Sequence, residues 1–304
     1  MRTLFRTEIR LAVLIAAAAT VAACDITVGA ADYSVREEKK FTVTGPAQVA
    51  LSTFDGSIEV RGWDRNDVVV EIEKRGPDQA VVDKIEVKSS QSGNTITVDV
   101  LKPSPLRTTG FRRSPGASLV VSVPVETAVT ARSGDGSITI RRVSGKADLD
   151  TDDGSVRVEE LKGDLVVRTG DGSVDARQVE GNARINTGDG SIRADGVYKR
   201  LELESRDGAI NIKVRPGSAV ESDWTVTTGD GSIHIELPAG LNAELDAHSA
   251  DGGVSAEQLK GQEPAARDRD DHDKPHNSAR GTIGAGGKLI KVRSGDGSIT
   301  IRNW

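Results

Sequence analysis

Cysteine is nearly absent from these 304 residues: Cys24 is the only one. A lone thiol excludes an internal disulfide framework. Aromatic residues are scarce at 3%, with three Trp, two Tyr and four Phe, so the chain lacks the stacking platforms that sugar-cleaving enzymes lay under their substrates. There are four His, His234, His248, His272 and His276, and none stands at a spacing that would make it the partner of a nucleophilic Ser or Thr. The apolar run Leu11 to Ala23 is too short to span a bilayer comfortably. Basic excess is missing too: the formal net charge is −6, which gives no electrostatic case for nucleic acid.

What the chain does have is a repeat. The sequence D-G-[SAG]-[IV] occurs nine times, at Asp55-Gly56, Asp135-Gly136, Asp153-Gly154, Asp171-Gly172, Asp189-Gly190, Asp207-Gly208, Asp230-Gly231, Asp251-Gly252 and Asp296-Gly297. The five copies from Asp135 to Asp207 recur at one constant interval. A fixed short period means one structural unit stacked on copies of itself. Two residues before every Asp is a hydroxyl, from Thr53 and Ser133 to Ser249 and Ser294, and four before is an apolar residue. Three after is Ile or Val. In the regular region, five after gives Ile140, Val158, Ala176, Ala194 and Ile212, and eight after gives Val143, Leu161, Val179 and Val197. Apolar residues two apart between charged ones mark a strand with one buried face.

The spacing therefore predicts an all-β fold: a parallel β-helix or β-solenoid of about 18 residues per coil, strand–corner–strand–corner, with like strands stacked about 4.8 Å apart. Parallel crossovers favour the right hand. At the D-G corner, Gly is expected to supply a positive φ and the Asp carboxylate to accept a backbone N–H of the same turn. A second corner carries Gly145, Gly163 and Gly181, and Lys199 departs from it. The hydroxyl column reads as a hydrogen-bonding ladder rather than a row of nucleophiles.

Residues 1–23 read as an export signal: three Arg, an apolar run, then small residues. The run ends in Val21-Ala22-Ala23-Cys24, which resembles the lipobox of bacterial lipoproteins. That resemblance implies that Cys24 is lipidated and becomes the mature N-terminus, and Asp25 after it resembles an inner-membrane retention signal. Residues 24–40 read as a polar tether and 41–128 as irregular capping coils. Within the latter, VVVEIEK, KIEVKSS and NTITVDV read as strands, with Ser92-Gly93-Asn94 a turn between the last two, and PDQAVVDK as a helical turn or loop. Residues 129–304 form the regular solenoid. It is interrupted by the highly charged stretch 262–281, expected to be a disordered insertion. The in-frame segment KLIKVRSGDGSITIRNW reads as the final coil, with Trp304 over the open end.

The corner Asp column is the first candidate for chemistry, because stacked carboxylates attract calcium. Calcium wants six to eight oxygens, however, and here a single corner Asp recurs per repeat, so the column reads as turn chemistry. No metal, cofactor or catalytic residue is expected. Arg112-Arg113 and Arg141-Arg142 read as exposed charge, and the loop His272 and His276 as solvated.

Repeats of [TS]-x-D-G-[SAG]-[IV], with Gly62-Trp63-Asp64 after the first copy, resemble the putative-adhesin β-strand-repeat family of bacterial envelopes, a domain of unknown function. The resemblance spans roughly residues 41–304. It implies a β-solenoid and an envelope role, and no catalytic residues. The function expected is a non-enzymatic, lipid-anchored interaction module in the cell envelope, with the membrane as one partner and a protein, glycan or cell-wall polymer as the other. The alternative is a carbohydrate-active enzyme, a polysaccharide lyase or hydrolase, on the same scaffold.

Overall fold

Stacked strands need a partner on each edge, and this chain supplies one for nearly every strand from its own repeats. The computed structural model describes residues 21–28 (backbone only), 33–103, 114–257 and 277–304. All 23 strands among them join into one solenoid-like sheet. In the regular part, Ile138 lies opposite Val156, Val156 opposite Val174, Val174 opposite Ile192 and Ile192 opposite Ile210, all parallel. A second parallel ladder holds the strands before each corner, such as Thr127–Ser133, Ala147–Thr151 and Leu165–Thr169. The apolar columns at −4, +3 and +5 from the corner Asp face inward along this array and form one continuous core.

The column at +8 is an odd step from +5, so strand alternation must be broken between them. Arg142, Glu160 and Gln178 do this by adopting left-handed backbone (φ +56, +57 and +53), each leaving its ladder for one residue. Val143, Leu161 and Val179 then turn inward. The next coil has no such residue. There Ile192, Ala194, Gly196 and Tyr198 alternate unbroken into the core, and Val197, expected inside, is half-buried. Tyr198 is fully buried with no partner for its hydroxyl among the described residues, and burial first, then the nearby Asp195, pushes its phenol pKa far up. An unsatisfied buried hydroxyl costs about 1 kcal/mol or more. Tyr198→Phe is therefore expected to raise the melting temperature; a drop would show that the hydroxyl has a partner in solution.

The stack does not follow chain order at either end. The Asp55 coil, strands Ala47–Thr53 and Ile58–Trp63, lies between the Asp135 coil and an outer pair, Thr95–Leu101 and Gly116–Pro124. Antiparallel strands then finish both edges: Glu86–Ser92 on Thr95–Leu101, and Asp67–Gly76 on Gly116–Pro124. A single helical turn, Gln79–Val82, is capped by the Asp78 carboxylate accepting from the Val81 amide. Most of the expected tether is strand: Tyr33–Thr42 pairs antiparallel with Asp67–Gly76, and Val21–Val28, which contains Cys24, runs antiparallel along it. Its sequence hides this because cross-strand charges take the place of apolar alternation. Arg36 bonds Glu73 at 3.2 Å, Lys40 bonds Asp67 at 2.8 Å, and Lys74 bonds Glu37.

At the other end the expected order is corrected. The Asp296 coil, Leu289–Ser294 and Ile299–Asn303, is not terminal. It sits between the Asp230 coil (Trp224–Thr228, Ile233–Leu237) and the Asp251 coil (Ala243–Ser249, Val254–Ala256). Trp304 therefore does not close an open end; its indole N–H donates to Val214 O at 3.2 Å, with the Lys213 ammonium 4.3 Å over the ring. Of the insertion expected over 262–281, residues 262–276 fall outside the described residues. Ser278–Ile283 is a strand, antiparallel on Ala243–Ser249, with Ala279 and Ile283 covering apolar surface that an open edge would leave bare. Among the described residues no helix is long and apolar enough to cross a membrane.

Candidate interaction face

The D-G corners stack directly on one another, and the glycine is there for space rather than for backbone freedom. Of the nine corner glycines only Gly56 has a positive φ, at +149°. In the others a Cβ would meet the carbonyl of the coil beneath: at Gly172 it would lie 2.1 Å from Gly154 O, at Gly190 2.1 Å from Gly172 O, at Gly297 2.1 Å from Gly231 O. Positive φ belongs instead to the second corner, at Gly145, Gly163 and Gly181.

The hydroxyl column does what the Asp was expected to do. Thr169 Oγ1 accepts from the Gly172 amide at 3.2 Å and donates to Gly154 O, one coil away, at 3.1 Å. The same pair of hydrogen bonds recurs at Ser133, Thr151, Ser205, Thr228, Ser249 and Ser294. A buried hydroxyl thus ties each of these corners to its neighbour, satisfying groups that burial would otherwise penalise. Among the described residues no corner carboxylate accepts a backbone amide.

The carboxylates face solvent instead. Asp135, Asp153, Asp171, Asp189, Asp207, Asp230, Asp251 and Asp296 are exposed. Arg206, one residue before its own corner, bonds Asp189 at 2.6 Å, and Asp189 and Asp207 hold its guanidinium pKa up. Asp55 is half-buried; burial first, then the Asp135 charge, raises its carboxyl above the ordinary 3.8. Below that value Asp55 is protonated folded or unfolded and costs nothing. As pH rises the folded chain resists ionisation, so the group destabilises the fold toward neutrality. Asp55→Asn is expected to raise the melting temperature at pH 7 and to leave it unchanged near pH 3; an equal effect at both would assign the change to packing.

Beside the carboxylate row runs a groove of about 410 Å³ on the outer face of the sheet. Its floor is the residue after each corner Gly: Ser137, Ser155, Ser173 and Ser191, all exposed, with hydroxyls that make no hydrogen bond among the described residues. Its far wall holds Arg157, Asp175, Arg193 and Asn211. Arg157 reaches Asp175 at 3.9 Å and Asp175 also takes Arg177 at 2.8 Å, whereas Arg193 has no ion-pair partner among the described residues. The sequence pattern already held this row, since D-G-[SAG] puts a small residue at one outward position per coil; only the register aligns four of them along one axis. The rest of the candidate chemistry disperses. Arg142 bonds Asp64 through both carboxylate oxygens, and Arg141 lies between Glu59 and Glu159. His234 lies 3.6 Å from Glu236 and His248 is exposed. Arg112, Arg113, His272 and His276 fall outside the described residues. No group of three or more His, Cys, Asp or Glu among the described residues is placed to hold a metal ion.

A family model described as Toastrack DUF4097 matches residues 29–302. Among solved structures, the chain is similar to a putative adhesin from Bacteroides fragilis (12% identity, 88% of this chain and 97% of that one, TM-score 0.39). It is similar to a putative lipid binding protein from Parabacteroides distasonis (11%, 88% and 96%, 0.37) and a putative adhesin from Parabacteroides merdae (11%, 88% and 95%, 0.36). No curated protein matches it.

Proposed function

The chain belongs to the Toastrack DUF4097 family, and from that premise we propose that it is a non-enzymatic, lipid-anchored module of the bacterial cell envelope. In this reading residues 1–23 are removed and Cys24 carries the lipid. A right-handed solenoid, one repeat to each coil, holds its outer face toward a glycan or cell-wall polymer. The observation that carries it is the serine groove. Hydroxyls and an Arg193 without partners among the described residues stand beside a row of carboxylates, the hydroxyls recurring at the spacing of stacked strands, about 4.8 Å. Such a surface suits a polymer that presents hydroxyl or amide groups along its length, and it needs no cofactor.

Address and ligand are tested together. Cys24→Ser is expected to move the protein from the membrane fraction to the soluble one; unchanged fractionation with no acyl mass would remove the anchor. That soluble chain is then screened on an array of glycans and cell-wall polymers. Filling the groove with Ser155→Trp and Ser173→Trp should weaken the best binder by about tenfold or more, roughly 1.4 kcal/mol. Binding untouched by the two tryptophans would overturn the groove as the site. New reducing or unsaturated ends in the same polymers would replace the module with a carbohydrate-active enzyme.

A further inference from the structure

The Asp55 coil lacks the second corner that closes the regular ones. In those, the corner carries the chain straight on to the next strand, as Gly145 does between Ile138–Ser144 and Ala147–Thr151. Here the chain enters from Tyr33–Thr42 through Thr44-Gly45-Pro46, and it leaves by reversing after Trp63 into Asp67–Gly76. Trp63 lies opposite Pro124 in a parallel pair, and Val69 lies opposite Ser122 in an antiparallel one, so the reversal passes over the end of Gly116–Pro124. From that end Val125-Glu126 leads away into Thr127–Ser133. Three connections meet, and a pocket of about 250 Å³ stays open between them. Their backbones are locked together: the Val43 amide donates to Asn66 O at 3.1 Å, the Ala47 amide to Glu126 O at 3.1 Å, and the Ser144 amide to Val125 O at 2.7 Å. The Trp63 indole N–H donates to Asp67 O at 2.9 Å. The pocket is therefore preformed, as small-ligand sites usually are.

Its lining combines an apolar surface, from Trp63, Pro46 and Pro124, with charge of both signs. Asp64 is already engaged, because Arg142 bonds both of its carboxylate oxygens and cancels its charge. That leaves Arg65 and Glu126, both exposed and neither in an ion pair among the described residues. The Arg65 guanidinium lies 4.8 Å from the centre of the Trp63 ring. Stacking fixes the plane of a guanidinium while its N–H edge stays open to a carboxylate. The Glu126 carboxylate, in turn, can accept from an ammonium. One available cation and one available anion beside an aromatic and two prolines are complementary to a small zwitterion with an apolar part.

We propose that this pocket binds an α-amino acid group, with the carboxylate on Arg65, the ammonium on Glu126 and the side chain against Trp63 and the prolines. The volume lies below the roughly 300 Å³ at which drug-sized sites begin, so it admits a group of this size and not a length of polymer. A free amino acid presents this chemistry, and so does a peptide residue whose side chain ends in a second amino-acid group. The inference does not depend on the serine groove.

Calorimetric titration of the full chain carrying Cys24→Ser tests this. The probes are alanine and leucine in both enantiomers, each free, N-acetylated and as the amide, and diaminopimelate, free and with one of its two amino-acid ends in peptide linkage. At least one free form is expected to bind, and blocking either its ammonium or its carboxylate should weaken it by about tenfold or more. Arg65→Ala should erase the difference between free and amidated probe, and Glu126→Gln the difference between free and N-acetylated probe. Both variants should keep the melting temperature of the parent, since both side chains are exposed. Peptide-linked diaminopimelate binding as well as the free form would point to a peptide as the source, and loss on linkage to a free amino acid; either result upholds the site. No binding by any probe up to about 10 mM would overturn the proposal, as would probe preferences that neither variant changes. Ser155→Trp and Ser173→Trp should leave this binding intact, so the two sites stand or fall separately.

Discussion

Gly172→Ala is expected to destabilise the fold by about 3 kcal/mol or more, far beyond the usual effect of one added methyl group. The new Cβ would fall 2.1 Å from Gly154 O and 2.6 Å from its carbonyl carbon, which is backbone held in the ladder and cannot swing aside. It would also lie 2.7 Å from Thr169 Oγ1, the hydroxyl that ties the two corners together. Relief would require the coils to part, breaking the corner bonds on that side. Gly93→Ala supplies the contrast. Gly93 has φ +59 in a hairpin turn with nothing within 4 Å of its Cβ, so the change costs only backbone strain, about 1 kcal/mol. Urea melts of both variants decide the matter. If Gly172→Ala costs no more than Gly93→Ala, the corner is not sterically closed.

Ending the chain after Lys288 is expected to have a larger effect still, of a kind unlike trimming an ordinary terminal repeat. Removing an outer coil from a stack takes away one interface. Removing residues 289–304 takes away a coil with a neighbour on each side, and with it the burial of Ile290, Val292, Ile299 and Ile301, about 8 kcal/mol gross at about 2 each. Among the described residues the Asp251 coil then has no parallel partner and keeps its antiparallel strand Ser278–Ile283. Hydrogen exchange should show Ala243–Ala256 unprotected in the truncated chain, while the Asp135 to Asp189 coils remain protected, because coupling in such arrays is between neighbours. Full protection of Ala243–Ala256 would mean that this coil slides down onto the Asp230 coil, and that the Pro238–Asn242 connection does not hold the two one coil apart.

The candidate face was only partly written in the residue pattern. The columns located the corners, and the small residue after each Gly was visible in the motif. Its role was not, because a serine at an outward position is indistinguishable from ordinary solvent-facing polarity until the register places Ser137, Ser155, Ser173 and Ser191 in line. The reading of the corner itself reversed two roles. Glycine and aspartate both suit tight turns, so the pattern suggested positive φ and a carboxylate acceptor. The stack assigns the acceptor to the hydroxyl and makes glycine a matter of clearance, which depends on the corner of the neighbouring coil and not on the local chain.

The sequence alone was enough for the all-β class, the inward columns, the strands and turn around Gly93, and the stacking of like on like, because each follows from periodicity and local turn chemistry repeated nine times. It could not supply the order of the stack. Every coil carries nearly the same edge, so any coil can follow any other as far as local pattern goes. Chain adjacency was the natural guess, and it holds through the middle. At the ends the hydrogen-bonding edges must be hidden. The fold does this by turning the first and last repeats inward and covering the outer strands with antiparallel ones: Asp67–Gly76, itself backed by Tyr33–Thr42, at one end, and Ser278–Ile283 at the other. The strand character of Tyr33–Thr42 and Ser278–Ile283 comes from the partner edge and its cross-strand charges, contacts that exist only once the solenoid has formed.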